Sequence, residues 1–201
     1  MFILTKFKDI VRVPARHLGE PIETVLVEEL NRRFANKVVL NVGLVICLHN
    51  VLEIGESHIY SGDAAIHTKC VFELLVFRPQ VGEIICGTLR SCSKEGLNIS
   101  LGFFDSITIP HEQLAEPSHF NEIEQTWTWN FQDEDQTHAM VLEVGEQLRF
   151  RVHKEIFVDV SPHGPTNPTT AQIIPSVKQE VPYTIIGSIS ESGLGLVKWW
   201  R

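Results

Sequence analysis

Two arginines, Arg149 and Arg151, alternate with Leu148, Phe150 and Val152, and His153 follows. In an extended strand successive side chains point to opposite faces, so the apolar set goes inward and the two guanidiniums stand together outside. A guanidinium presents a planar fork of donors that suits phosphate oxygens. Arg90 and Lys94 are the other cations assigned to the same surface. Trp127, Trp129 and Phe131 alternate with Thr128 and Asn130. Three rings on one strand face can stack nucleobases. Packing across neighbouring strands is the more ordinary use of such a face. A net charge of −8 excludes holding nucleic acid by bulk electrostatics, so any phosphate contact must be a local patch.

Catalytic constellations do not emerge from the remaining candidates. Gly193-Leu194-Gly195 lacks the length and the lysine of a phosphate-binding loop, and Asp133, Glu134 and Asp135 read as a solvated acidic turn. His58 and His67 flank a loop containing Asp63 without ligand spacing, so no metal and no cofactor are expected. Cys47, Cys70, Cys86 and Cys92 have no CxxC spacing, as expected of buried free thiols in a reducing compartment. The most apolar run, Val38 to Leu48, is interrupted by Asn41 and Gly43 and falls far short of the roughly 20 residues of a membrane helix. The N-terminus lacks a signal-peptide core. No membrane association is expected, and binding is favoured over catalysis.

The elements that must position these residues follow from periodicity. Phe2 to Val13 alternates and stops at Pro14, a first strand. Pro21 is placed as the first residue of a helix in which Ile22, Val25, Leu26, Leu30 and Phe34 recur at helical spacing. That apolar stripe is expected to cover the chain's own sheet. Val38 to Glu53 reads as a long strand or bent pair kinked at Gly43, and Lys69 to Phe77 as another. Between them IGESHIYSGDAAIHT reads as a projecting loop whose small-residue tip, Ser61 to Ile66, suits entry into a narrow pocket on another protein. Arg78-Pro79-Gln80 separates two domains, 1–80 and 81–201, with exposed apolar residues expected around Val76 to Val81. In the second domain, Gly82 to Leu89, Leu97 to Leu101 and Ile107 to Pro110 form three short antiparallel strands. His111 to Gln125 wraps a barrel end, and Trp127 to Phe131 adds a strand. Gln147 to Val152 and Tyr183 to Ile189 supply two further strands, separated by a proline-rich insertion at 161–182. This order is similar to the five-stranded OB barrel of S1 type, whose outer face binds single-stranded nucleic acid. The second barrel strand, however, turns Asn98 and Ser100 outward where exposed aromatics are usual.

Four stretches carry a wider resemblance: EELNRRFANKVVLNVGLVICL, SGDAAIHTKCVFELLVFRP, SCSKEGLNISLGFFDSITIP and PYTIIGSISESGLGLVKWW. With them the chain resembles, over nearly its full length, the larger stalk subunit of multisubunit RNA polymerases. This group includes the E-prime component of archaeal RNA polymerase, and the similarity is specifically to the version in eukaryotic RNA polymerase III. The resemblance implies an α+β protein, an N-terminal RNP-like tip domain of sheet plus helix followed by an S1-type OB β-barrel. It implies a non-catalytic nuclear role in transcription of small RNAs, a heterodimer with the smaller stalk subunit, docking of the tip on the RNA polymerase III core, and weak contact with nascent single-stranded RNA. Carried over residue by residue, the docking loop is Ser61, Gly62, Asp63, Ala64, Ala65, Ile66 and His67. A stalk subunit of another nuclear polymerase and a free-standing S1-type RNA-binding protein are the alternatives.

Overall fold

The first apolar alternation becomes strand β1 (Phe2–Pro14), which pairs antiparallel along its full length with β4 (Ala65–Phe77). The computed structural model describes residues 1–133, 136–160 and 181–200, and the chain divides into two units, Met1–Pro79 and Gln80–Arg201. In the first unit the strand order is β1-β4-β3-β2, with β2 at Lys37–Val39 and β3 at Gly43–Ile59. The expected bent pair is thus β2 and β3; residues 40–42 make the reversal, with Asn41 at a φ of +60°, and Gly43, whose φ of +134° disfavours a side chain, opens β3.

Helix α1 (Ile22–Phe34) begins one residue later than expected. Pro21 is the capping residue, with a ψ of 124°, instead of the first helical one. Glu23 lies in the first turn and Arg32 and Arg33 in the last, matching the partial charges at the helix ends. Val25, Leu26 and Leu30 on α1 are buried with Val11, Val13, Val45, Cys70, Phe72, Leu74 and Val76 of the sheet. Phe72 lies 6.1 Å from Phe7 and 5.6 Å from Phe34, so one ring joins two strands to the helix. The stripe covers its own sheet, as the periodicity implies.

The connection between β3 and β4 is much shorter than the sequence suggests. Strand β3 runs to Ile59 and β4 starts at Ala65, with Ser57 to Ile59 paired to Ile66 to Thr68, leaving a turn of residues 60–64 closed by the Asp63 amide on the Tyr60 carbonyl, 3.1 Å. Glu56, Ser57 and His58 lack the apolar alternation that marks a strand, because this end of the hairpin is solvated and is held by the backbone ladder. The apolar surface expected from Val76 to Val81 is also different: Val76 and Phe77 are buried, and only Val81 is prominently exposed.

The second unit is built on β5 (Ile84–Ser93), β6 (Gly96–Ser100), β7 (Ile107–Pro110), β11 (Gln147–Phe157) and β12 (Tyr183–Ser188). Strand β12 pairs in parallel with β7 and antiparallel with β11, which closes these five into a barrel of OB type. Leu89, Leu97, Ile99, Ile107, Ile109, Leu148, Phe150 and Ile185 fill it. Between β7 and β11 the chain inserts a separate sheet of β8 (Ser118–Asn121), β9 (Thr126–Asp133) and β10 (Gln136–Leu142). The wrapping segment therefore contains a strand of its own, and the tryptophan strand lies in the middle of three. The chain closes with the short β13 (Gly195–Leu196) on β11 and a final 3₁₀ turn, Val197–Trp200. The proline-rich stretch up to residue 180, and residues 134–135 of the acidic turn, lie outside the described residues.

Candidate docking and nucleic-acid surfaces

At the hairpin tip three polar side chains, from two strands and the turn, converge. Arg12 on β1 grips both oxygens of Asp63 at 2.7 and 3.0 Å, and His67 on β4 places Nε2 2.9 Å from the same carboxylate. Arg12 and His67 are directly opposed in the β1–β4 ladder, which is why a carboxylate in the turn reaches both. The hydrogen bonds from Arg12 and then His67 hold the Asp63 carboxyl down at about 2. Tyr60 sets its ring edgewise to His67 at 4.8 Å, and the Ala15 amide donates to the Ala64 carbonyl at 3.1 Å. The turn is therefore tied to β1 and β4. A guanidinium on both oxygens of Asp63 would repel a cation, and His58 lies instead near Glu56 at 3.6 Å. Among the described residues no group of three His, Cys, Asp or Glu side chains is gathered to hold a metal.

The predicted docking residues divide on this frame. Ser61, Gly62 and Ala64 are exposed in the turn, Asp63, Ile66 and His67 are half-buried, and Ala65 is only 2% exposed. Ala65 thus belongs to the interior of the first unit and not to a presented surface, because the first residue of β4 tucks its methyl group inward. Sequence reasoning also missed a groove of Arg12, Arg32 and Arg33 beside Val11 and Glu29. Each of its guanidiniums already meets a carboxylate: Asp63, Glu29 and Asp9 respectively. Only the basic last turn of α1 hinted at it.

On the barrel, the alternation in β11 places Leu148, Phe150 and Val152 inside and Arg149 and Arg151 outside, as read from the sequence. Their availability differs. Arg151 makes a two-point pair with Glu191, both contacts at 3.0 Å, and Arg90 is held by Asp105, whose carboxyl is lowered first by the Ser100 hydroxyl and then by Arg90. Lys94 lies 3.7 Å from Glu122. Among the described residues Arg149 is the one of the four with no ion pair. It stands opposite Cys86 on β5 and Gly195 on β13.

The face of β6 and β7 shows Asn98, Ser100 and Thr108, with Asn98 hydrogen-bonded to Thr108 and Ser91 and Ser100 to Asp105, and carries no aromatic ring. One aromatic beside it went unpredicted. Phe103, in the connection after Gly102, is 45% exposed, while its neighbour Phe104 is buried. The doublet gives no signal of which ring turns in. Trp127 and Trp129 serve packing: Trp127 is 8% exposed, lies 5.3 Å from Phe120 and donates its indole N–H to the Ser93 carbonyl at 2.8 Å. Trp129 packs at 5.6 Å against Trp199 of the C-terminal turn.

That C-terminal packing explains a motif. At Gly195, φ is +102°, and an added Cβ would sit 2.5 Å from the Trp199 ring, so the glycine and the tryptophan require each other. A family model for RNA polymerase III subunit Rpc25 matches residues 83–200, through this ending. The chain belongs to the Rpc25 family. A second model, the SHS2 domain found in the N terminus of Rpb7p/Rpc25p/MJ0397, matches residues 8–64. The chain is 45% identical to DNA-directed RNA polymerase III subunit RPC8 of Bos taurus over 201 residues, covering 100% of this chain and 98% of that one. It is 38% identical to the Schizosaccharomyces pombe protein of the same name over 203 residues, with 100% of both covered. An archaeal relative, DNA-directed RNA polymerase subunit Rpo7 of Saccharolobus solfataricus, is 28% identical over 107 residues, 53% of this chain and 59% of the relative. The fold expected of the Rpc25 family, an RNP-like N-terminal domain and an OB barrel, is the one this chain adopts.

Proposed function

We propose that this chain is the larger stalk subunit of nuclear RNA polymerase III. It is non-catalytic, pairs with the smaller stalk subunit and acts in initiation and in contact with the exiting transcript of small RNAs. The observation that carries the reading is end-to-end similarity to relatives named as RNA polymerase III subunits, across both units and through the paired glycine and tryptophan of the ending. Purifying the tagged chain from nuclear extract tests this. Subunits of RNA polymerase III, including the smaller stalk subunit, are the expected companions; recovery of RNA polymerase I or II subunits, or of none, overturns the assignment.

In this reading the turn of residues 60–64 is the part of the tip that enters the polymerase core. Its charge is already satisfied by Arg12, so its contribution is shape. RNA meets the barrel through Arg149, with Phe103 offering a ring to an unpaired base. Arg151 and Arg90 reach phosphate only by exchanging a carboxylate partner. Binding is accordingly weak, nearly indifferent to sequence and dependent on salt.

A further inference from the structure

Where the inserted sheet meets the β5–β6 turn there is a cleft of about 540 Å³ lined by Lys94, Glu95, His111, Phe120, Glu122 and Trp127. Its aromatic wall is fixed, because Trp127 is anchored on the Ser93 carbonyl and packed against Phe120. The turn that brings Glu95 to the cleft is tied to the far side by the His111 amide, 3.1 Å from the Glu95 carbonyl. Lys94 is the only lysine or arginine among the lining residues, and both it and Glu122 are largely exposed, so their 3.7 Å pair is weak and exchangeable.

The surroundings set the sign of the ligand. The lining sets two carboxylates, Glu95 and Glu122, against the single ammonium of Lys94. A phosphodiester strand entering here is repelled, whereas a cation gains from the carboxylates and from the negative faces of the rings. We propose that this cleft receives an arginine or lysine side chain from a basic segment of a protein partner. The incoming cation displaces Lys94 from Glu122 and lies against Phe120 and Trp127. The surface is separate from Arg149, which is on β11, so one barrel unit presents a cation site for RNA and an acidic aromatic site for protein.

A labelled peptide of alternating arginine and glycine, titrated into the full chain, tests the proposal, with the Trp127 indole N–H resonance as the local reporter. The peptide should bind and move that resonance. Glu95→Gln with Glu122→Gln should weaken binding about tenfold, equivalent to about 1.4 kcal/mol. The same charge removed elsewhere, by Glu23→Gln with Glu53→Gln, should leave affinity within about twofold. Equal weakening by both pairs would reduce the effect to general acidity and overturn the site. An unmoved Trp127 resonance would place the peptide elsewhere and also overturn it. If an oligouridine, and not the peptide, moves the Trp127 signal, the cleft is an RNA site and the proposal is wrong.

Discussion

The hairpin tip and the barrel wall both present arginines from the outward side of a strand, and they use them in opposite ways. At the tip, Arg12 is consumed by a carboxylate 51 residues away in sequence, and the result is a turn held to two strands. On the wall, Arg151 is likewise consumed by Glu191, but Arg149 beside it has no ion pair among the described residues. A satisfied cation shapes a surface; an unsatisfied one offers charge to a ligand. The same residue type in the same strand position is thus spent on an internal tie in one unit and left without an ion pair in the other, which is the basis for proposing shape recognition at the first and phosphate recognition at the second.

The largest effect that can break this comparison is at the tip. Ala65→Arg should cost the first unit about 3 kcal/mol or more, since it drives an unpaired charge into a buried position. Ala64→Arg, in the exposed turn, should leave stability within about 0.5 kcal/mol yet reduce recovery of the polymerase core. Urea denaturation and pull-down of core subunits check both. Normal core recovery with Ala64→Arg would show that shape at the turn does not matter.

A change of intermediate size sharpens the wall side. Gly195→Ala meets the Trp199 ring at 2.5 Å and a left-handed backbone, so it should destabilise the barrel by about 1 to 3 kcal/mol in thermal unfolding. The segment it disturbs also carries Glu191, the partner of Arg151, so the surviving folded fraction should bind RNA more tightly than wild type. Weaker binding per folded molecule would argue against Glu191 as a competitor of phosphate.

Acid should distinguish the two clusters more gently. Because the Asp63 carboxyl is depressed in the fold relative to about 3.9 in an unfolded chain, its contribution is present above that value and is lost as pH falls through about 2. The Arg12 Nε–H resonance should therefore keep its bonded position between pH 7 and pH 4. Its collapse by pH 4 would mean that the tip is not tied by this carboxylate.

Much of this architecture is legible locally. Period-two alternation gave β1, β5 to β7 and β11, and the 3.6-residue stripe from Val25 to Leu30 gave α1 and its buried face. What escaped depends on backbone pairing that the side-chain pattern does not mark, or on a partner distant in the chain. The outer end of β3 and strand β8 are polar and short of apolar alternation, so only backbone pairing defines them. Arg149 and Arg151 look alike in sequence, and the difference between them rests on Glu191, 40 residues beyond Arg151. Ala64 and Ala65 are adjacent and chemically identical, and only the start of β4 decides which is inside.

The division of labour between the two arginines of β11 is tested most directly by RNA binding across a salt series, comparing wild type, Arg149→Ala and Arg151→Ala. Loss of one phosphate contact on a single strand reduces the log–log salt slope by about 0.7. Arg149→Ala should show that reduction together with weaker binding, and Arg151→Ala should leave the slope close to wild type. An unchanged slope with Arg149→Ala, or a larger loss with Arg151→Ala, would contradict the assignment of the free cation as the one that meets RNA.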